Sequence, residues 1–512
     1  MSGSDSPRTH VCSLPKHAVT VALAVALLTV GSAPSSGVSG HRPPALAETL
    51  LAAPQSRGPS PGKPNIVFVL ADDFSLNLVQ YMPNLLAMQK EGTTFSNYFV
   101  TDSLCCPSRS SIFTGRFPHN TRVFLNQGPL GGYGAFNNHG NAERSFAVSL
   151  HGGGYKAAML GKYLNGYGPA KDQASPGWTE WDVAGLGYNE FNYTVNENGR
   201  LVHYGRTEKD YLTDVVSDLG DGFIRRAAPG PFFIEIATFA PHAPYTPAPR
   251  DASKFPGLQA PRTPAFALRA DAASPKYLKD IAPLAPADIA AIDRDFRMRV
   301  QSVQAIDKMI GRLRATLAGL RADNTYLVFS SDNGYHMGEH SLRPGKMTAF
   351  DTDIHVPLVV VGPGVPKGRT VDALAENVDL NPTFADLGGV LPVSPDGHSL
   401  AAFLRGETVD NWRESVLVEH RRPVADTTDP DLPQPHAGNP ATYEAIRTST
   451  ALYVEYQNGE TEYYDLTKDP DELRNTATAL SADLWNRFHD MLARTKACVG
   501  ADACWAAQHF PK

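Results

Sequence analysis

Four largely apolar runs, Asn65–Leu70, Phe232–Phe239, Tyr326–Phe329 and Val356–Val361, constrain this chain more than any other feature. A strand with one face in water alternates apolar and polar residues, and these runs do not. They suit strands buried on both faces of a parallel sheet. Between the second and third runs, Val300, Val303, Ile306, Ile310, Leu313, Leu317 and Leu320 recur at spacings of three and four. That periodicity predicts an amphipathic helix. Strands alternating with helices imply an α/β architecture with a large, mostly parallel central sheet. From residue 401 the texture changes: Ser415–Glu419, Ala445–Thr448, Ala451–Tyr456 and Glu462–Tyr464 are closely spaced strand-like pieces. They predict a smaller antiparallel sheet, closed by a helix over Leu480–Lys496.

The chain's 512 residues are enough for two or three domains. A net charge of −7 and the lack of a basic stripe argue against nucleic acid as a partner. Arg8 and Lys16 precede the uncharged run Ala18–Val30 and the small residues Gly31-Ser32-Ala33. This reads as a signal peptide over 1–33, too short in its apolar part to span a bilayer comfortably, followed by a Pro/Ser/Gly-rich linker over 34–63. A main domain over 64–400 and a C-terminal subdomain over 401–512 complete the expected order. No later stretch is apolar enough to cross a membrane, so the expected location is secreted or extracytoplasmic. Cysteine use agrees with export. Cys498 and Cys504 bracket a short segment that a disulfide can close in an oxidising compartment. Cys105 and Cys106 are adjacent and make a poor pair for one another.

Chemistry concentrates at a few places. In Cys105-Cys106-Pro107-Ser108-Arg109, Pro107 fits the first turn of a helix and Gly115 fits its end. Cys105 then lies at a helix N-terminus, where free N–H groups and the dipole favour an anion, with Arg109 one turn on. Asp72-Asp73 and Asp332-Asn333 each follow an apolar run. Carboxylates crowded at two strand ends repel unless a cation lies among them, and oxygen donors suit Ca²⁺, with Mg²⁺ possible. Three further cationic candidates are Lys162, His242 between Pro241 and Pro244, and Lys346.

Cys105-x-Pro107-x-Arg109 with Thr114-Gly115-Arg116 resembles the signature of the sulfatase family. Gly161-Lys162-Tyr163, Pro241-His242-Ala243-Pro244 and Gly345-Lys346 resemble further elements of it, in the family's order. The resemblance runs from Pro64 to the C-terminus and looks closest to N-acetylglucosamine-6-sulfatases and related glycosaminoglycan enzymes. It implies an alkaline-phosphatase-like sandwich, with 64–400 as the catalytic domain. It also implies that a formylglycine-generating enzyme oxidises Cys105 to formylglycine. The expected cation ligands are Asp72, Asp73, Asp332, Asn333 and modified residue 105. Arg109, Lys162 and Lys346 are expected to neutralise the sulfuryl oxygens, and His242 or Lys346 to protonate the leaving alcohol. In the implied reaction one hydroxyl of the hydrated aldehyde attacks sulfur and the alcohol departs. The second hydroxyl then lets the carbon expel sulfate. The sequence departs from many members at Leu164, where they carry histidine. His336 and His340 are the candidates to line the substrate pocket in its place. Two other readings use the same residues: a phosphonate or phosphate-ester hydrolase of the same superfamily, and an inactive exported glycan-binding protein.

Overall fold

The computed structural model describes residues 62–422, 427 and 429–510. The expected signal segment 1–33, and the linker as far as residue 61, lie outside the described residues. Ten strands form the central sheet. Its middle is parallel: β1 (Asn65–Ala71), β2 (Lys156–Gly161), β3 (Phe232–Ala237) and β4 (Thr325–Ser331) lie in the spatial order β4-β1-β3-β2. Glu180–Gly185 continues the parallel set beyond β2. The Val356–Val361 run becomes a strand only from Leu358, and it pairs antiparallel to both of its neighbours. A hairpin, Tyr193–Glu197 with Arg200–Tyr204, closes the other side.

The apolar runs are continuous because the sheet is covered twice. Ile66, Phe68 and Leu70 of β1 point into one core, while Val67, Val69 and Ala71 point into a second on the opposite face. Each side chain is removed from water, at roughly 25 cal/mol per Å² of apolar surface. Two helices, one on each face, carry residues to the carboxyl edge of the sheet. The short α1 (Cys105–Thr114) is buried along its whole length and sends Ile112 and Phe113 into the first core. The long α2 (Pro286–Gly319) buries Val300, Val303, Ile306, Ile310, Leu313 and Leu317 in the second. It begins well before the apolar stripe, with Pro286 in its first turn. Leu320 lies just past its end and is 36% exposed.

Beyond residue 400, Ser415–His420, Tyr443–Thr448, Ala451–Tyr456 and Thr461–Asp465 form an antiparallel sheet in sequence order. The helix Ala482–Thr495 starts at Ser481, whose side chain accepts from the Leu484 N–H at 3.2 Å. A disulfide, Cys498–Cys504, ties its end to a last helix over Ala501–Ala507. No helix among the described residues is long and apolar enough to cross a membrane.

Candidate active site

The carboxyl ends of four adjacent parallel strands carry the charged residues. Ala71 pairs with Ser331, so Asp72-Asp73 and Asp332-Asn333 leave the sheet side by side. Gly161 pairs with Ala237, which places Lys162 beside the chain that leads to His242. Gly161 has to be glycine: its φ is +87°, and a Cβ there would lie 2.0 Å from the Ala237 carbonyl oxygen. The N-terminus of α1 approaches the same edge. Its far end stops at Gly115, in the left-handed region at φ 69°, with the N–H bonded to the Ser111 carbonyl.

Cys105 is fully buried and reduced. Its Sγ lies 3.2 Å from Asp72 Oδ1 and 2.9 Å from Lys346 Nζ. Lys346 also reaches Asp73 Oδ1 at 2.6 Å, while Lys162 Nζ meets Asp72 Oδ2 at 2.5 Å. Arg109 Nε donates to Asp332 Oδ2 at 2.8 Å and Nη1 to the Lys162 carbonyl at 2.7 Å. His242 Nε2 lies 3.6 Å from Asp73 Oδ2, and Nδ1 lies 2.7 Å from the Ala243 carbonyl oxygen, which can only accept. Nδ1 therefore carries a proton.

Burial and neighbours pull these groups in different directions. Loss of solvent lifts Asp72 to about 6, against the pull of Lys162. Burial also pushes Asp332 upward, but Arg109, Lys162 and Lys346 overcome it and hold the group at about 2. Burial raises the Cys105 thiol well above its ordinary value, with Asp431 and Asp72 adding to the rise. Such a thiol is a weak nucleophile.

The donor set fits a hard divalent cation. Oxygen atoms of Asp72, Asp73 and Asp332, with Cys105 Sγ, lie within 4.8 Å of one another. Asp73 Oδ2 and Asn333 Oδ1 are buried without a hydrogen-bond partner. Buried polar atoms are normally satisfied, and a bound cation would satisfy both.

The structure does not bring every expected residue to this point. His336 is buried with Nδ1 on the Asp353 carboxylate at 2.9 Å and Nε2 on the Ala437 carbonyl at 3.1 Å. Both ring nitrogens hold the loop together. His340 is stacked on Phe350 with ring centroids 3.9 Å apart, and its burial leaves it well below its ordinary pKa, at about 3. Neither histidine lines the cavity of about 320 Å³ beside the cluster, which is bounded by Asp73, His242, Tyr245, Tyr335, Lys346 and Asp431 among others. The two histidines expected in place of the one missing at Leu164 thus stand outside that lining. Leu164 itself packs into the apolar core.

Sequence reasoning also missed residues. Asp431 comes from the segment between the first two strands of the C-terminal sheet, and its Oδ1 lies 2.7 Å from both Lys346 Nζ and His242 Nε2. Arg299, on α2, is fully buried and donates to the Asp73 carbonyl at 2.5 Å and to Ser75 Oγ at 3.0 Å, which fixes the turn after β1. The Tyr188 ring lies 5.0 Å from Lys162 Nζ. The prolines around Asp431 were a weak signal of a fixed backbone, and Arg299 interrupts an otherwise apolar stripe.

Residues 64–390 match the family described as Sulfatase, and residues 338–497 match the one described as N-sulphoglucosamine sulphohydrolase, C-terminal. The chain belongs to the sulfatase family. It is a sulfuric ester hydrolase, as its curated relatives are. The N-acetylglucosamine-6-sulfatase of Homo sapiens is 33% identical over 473 residues, covering 86% of this chain and 85% of that protein. An extracellular sulfatase SULF-1 homolog of Drosophila melanogaster is 33% identical across 70% of this sulfatase and 33% of its own length. Among solved structures, a complex with its substrate D-glucosamine-2-N,6-O-disulfate superposes with a TM-score of 0.70. The identity is 23%, with 85% of this sulfatase and 97% of that chain covered. The phosphonate monoester hydrolase of Agrobacterium radiobacter superposes at 0.66 with 22% identity, over 85% and 95% of the two chains. These neighbours share the alkaline-phosphatase-like fold.

Proposed function

We propose that this sulfatase removes sulfate from sulfated sugars of the N-acetylglucosamine 6-sulfate or glycosaminoglycan type, using formylglycine made from Cys105. The observation that carries this reading is the setting of Cys105: a helix N-terminus over the buried pairs Asp72-Asp73 and Asp332-Asn333, with Lys346 within 2.9 Å. A high-pKa thiol is poorly suited to attack, whereas residue 105 as formylglycine supplies geminal hydroxyls, one to attack sulfur and one to release sulfate. Asp72, Asp73, Asp332 and Asn333 would hold Ca²⁺ or Mg²⁺, which supplies Lewis-acid neutralisation of the sulfuryl oxygens.

The protein's own groups do the rest. Lys162, Lys346 and Arg109 line the position where charge accumulates, and buried cations act strongly there because little water screens them. Arg109 also orients Asp332 and, through the Lys162 carbonyl, the start of the Lys162 segment. His242 is the better-placed proton donor for the leaving oxygen. Its Nδ1 is held on the Ala243 carbonyl and its Nε2 lies 2.7 Å from Asp431 Oδ1, so anionic neighbours keep the ring protonated in the cavity wall, while Lys346 is tied to Asp73 and residue 105 as well as to Asp431. Residues 64–400 form the catalytic domain in this reading, and 401–512 a subdomain that delivers Asp431. Residues 1–33 would direct export, in keeping with the extracellular sulfatases among the relatives.

The test has two parts. The mass of the peptide containing residue 105, from protein exported by its own host, should show aldehyde in place of thiol. The same preparation should release sulfate from N-acetylglucosamine 6-sulfate. An unmodified thiol, or turnover of phosphonate esters with none of sulfate esters, would overturn the proposal.

A further inference from the structure

Asp431 stands out because it is an anion where an anion has to bind. Oxygen or nitrogen atoms of Asp73, His242 and Asp431 and the sulfur of Cys105 all lie within 4.8 Å of one another. A sulfuryl group attacked by residue 105 must come to about 3–3.5 Å from the attacking atom, so it lies against Asp431 and shares Lys346 and His242 with it.

The carboxylate is built into this place. Its side chain is 3% exposed. Oδ1 takes the two cationic groups, and Oδ2 accepts from Asn126 Nδ2 at 2.6 Å and lies 3.5 Å from Asn165 Nδ2. Asn126 accepts in turn from the Cys106 N–H at 2.9 Å, so one amide joins Asp431 to the first turn of α1. Asp431's own N–H bonds to Asp429 Oδ1 at 3.0 Å.

We propose that Asp431 is a specificity-determining residue whose fixed negative charge makes the pocket select singly charged sulfate esters over doubly charged phosphate monoesters. This inference rests on the sulfatase reading. The two ester types have nearly the same tetrahedral shape, and cations alone would favour the more highly charged one. A phosphate monoester carries a second charge above its second pKa, about 6 for phosphorylated side chains. A unit charge held against Asp431 in a poorly hydrated pocket is repelled strongly enough to change selectivity by roughly tenfold or more. Asp431 thus offsets part of the attraction that Lys162, Lys346, Arg109 and His242 exert on any oxyanion.

The test compares 4-nitrophenyl sulfate, 4-nitrophenyl phosphate and methyl 4-nitrophenyl phosphate at about pH 8, well above that second pKa, on the mature enzyme. The first and third carry one charge, so the diester separates charge from the identity of the central atom. For Asp431→Asn, kcat/KM on the monoester relative to the sulfate should rise about tenfold. The diester-to-sulfate ratio should move by less than about threefold, and Asp431→Glu should keep the original ratios. Asp431→Ser, with the charge removed and room for a water, must shift selectivity in the same direction as Asn. Equal movement of both ratios, no movement, or loss of all turnover in variants that melt like the parent would each overturn the charge role. A parent enzyme that cleaves phosphates and no sulfate would instead sink the sulfatase reading itself.

Discussion

Two regions of this molecule bury charge and cysteine side by side, and they use them in opposite ways. At the carboxyl edge of the central sheet, Cys105 is reduced, and Asp73 Oδ2, Asn333 Oδ1 and Arg109 Nη2 have no hydrogen-bond partner. That cluster borders a cavity. Between the two sheets, Arg413 Nη2 donates to Asp379 Oδ1 at 2.6 Å, and the Asp379 carboxylate also accepts from the Glu376 and His398 N–H groups at 2.9 Å. Glu376 Oε1 accepts from the Leu417 N–H at 3.1 Å, which ties the C-terminal sheet to the short strand Ala375–Glu376. Nearby, Cys498 and Cys504 are joined. In the second region the carboxylates accept from the backbone and from Arg413, whose Nε and Nη1 are left without a hydrogen-bond partner. In the first the carboxylates face one another, and on the proposed reading a cation would fill Asp73 Oδ2 and Asn333 Oδ1 while the unfilled Arg109 Nη2 would meet a substrate anion. The difference separates a reactive site from a fastening.

The comparison predicts effects that divide cleanly, and the largest is on turnover. Cys105→Ala should lower kcat by roughly 10⁴-fold or more, since a covalent nucleophile is removed. The thermal midpoint should move by no more than a few degrees, because the sulfur's contacts are to Asp72 and Lys346, which keep their other partners. Substantial sulfate release by Cys105→Ala would place the nucleophile elsewhere. Chelation is expected to come next. Treatment with a strong chelator should reduce sulfate release by about 100-fold or more and lower the melting temperature, with Ca²⁺ restoring both. The destabilisation follows from losing the ion among Asp72, Asp73 and Asp332, whose mutual repulsion Lys162, Lys346 and Arg109 then offset only in part. Full activity after verified metal removal would contradict the reading of Asp73 Oδ2 and Asn333 Oδ1 as ligand atoms.

In the fastening region the order of effects reverses. Arg413→Met removes the cation from between Glu376 and Asp379, both fully buried. Breaking a buried pair by removing one partner costs about 3–5 kcal/mol. Denaturant unfolding should show that loss, while kcat measured below the transition should stay within about twofold. If kcat fell in step with stability in the still-folded protein, the two regions would not be separable.

How much of the molecule could be read in the sequence follows the same division. The strand ends were legible because Asp72-Asp73 and Asp332-Asn333 closely follow apolar runs, and adjacent parallel strands bring their C-terminal neighbours together. Cys105 was legible because helix start, proline and arginine lie within five residues. Asp431 was not, since it meets His242 across 189 positions and lies on no periodic element. His336 shows the converse. It follows the Asp332-Asn333 pair closely, but its ring turns to Asp353 and Ala437. Proximity in sequence places a backbone near a site and says little about where a side chain finds its partners. The C-terminal strands were visible from their composition, and the ion cluster beneath them was not, because its members come from separate segments.

The smallest effect concerns the other cysteines. Cys498 and Cys504 close a loop six residues apart. By the chain-entropy argument so short a loop contributes only about 2 kcal/mol. The bond still has a local task. The Cys498 carbonyl receives His119 Nε2 at 2.8 Å and Asn120 Nδ2 at 2.9 Å, so the loop docks on the segment just after α1. Cys498→Ser with Cys504→Ser should therefore lower unfolding free energy by about 2 kcal/mol and speed hydrogen exchange at Asn120 and Thr121. The route from that segment to residue 105 runs through a fully buried helix, which has no room to relax. Sulfate release should thus be unaltered in the folded double variant. A fall of about tenfold or more at unchanged KM would show that the disulfide positions α1, and would join the fastening to the reactive site it otherwise only flanks.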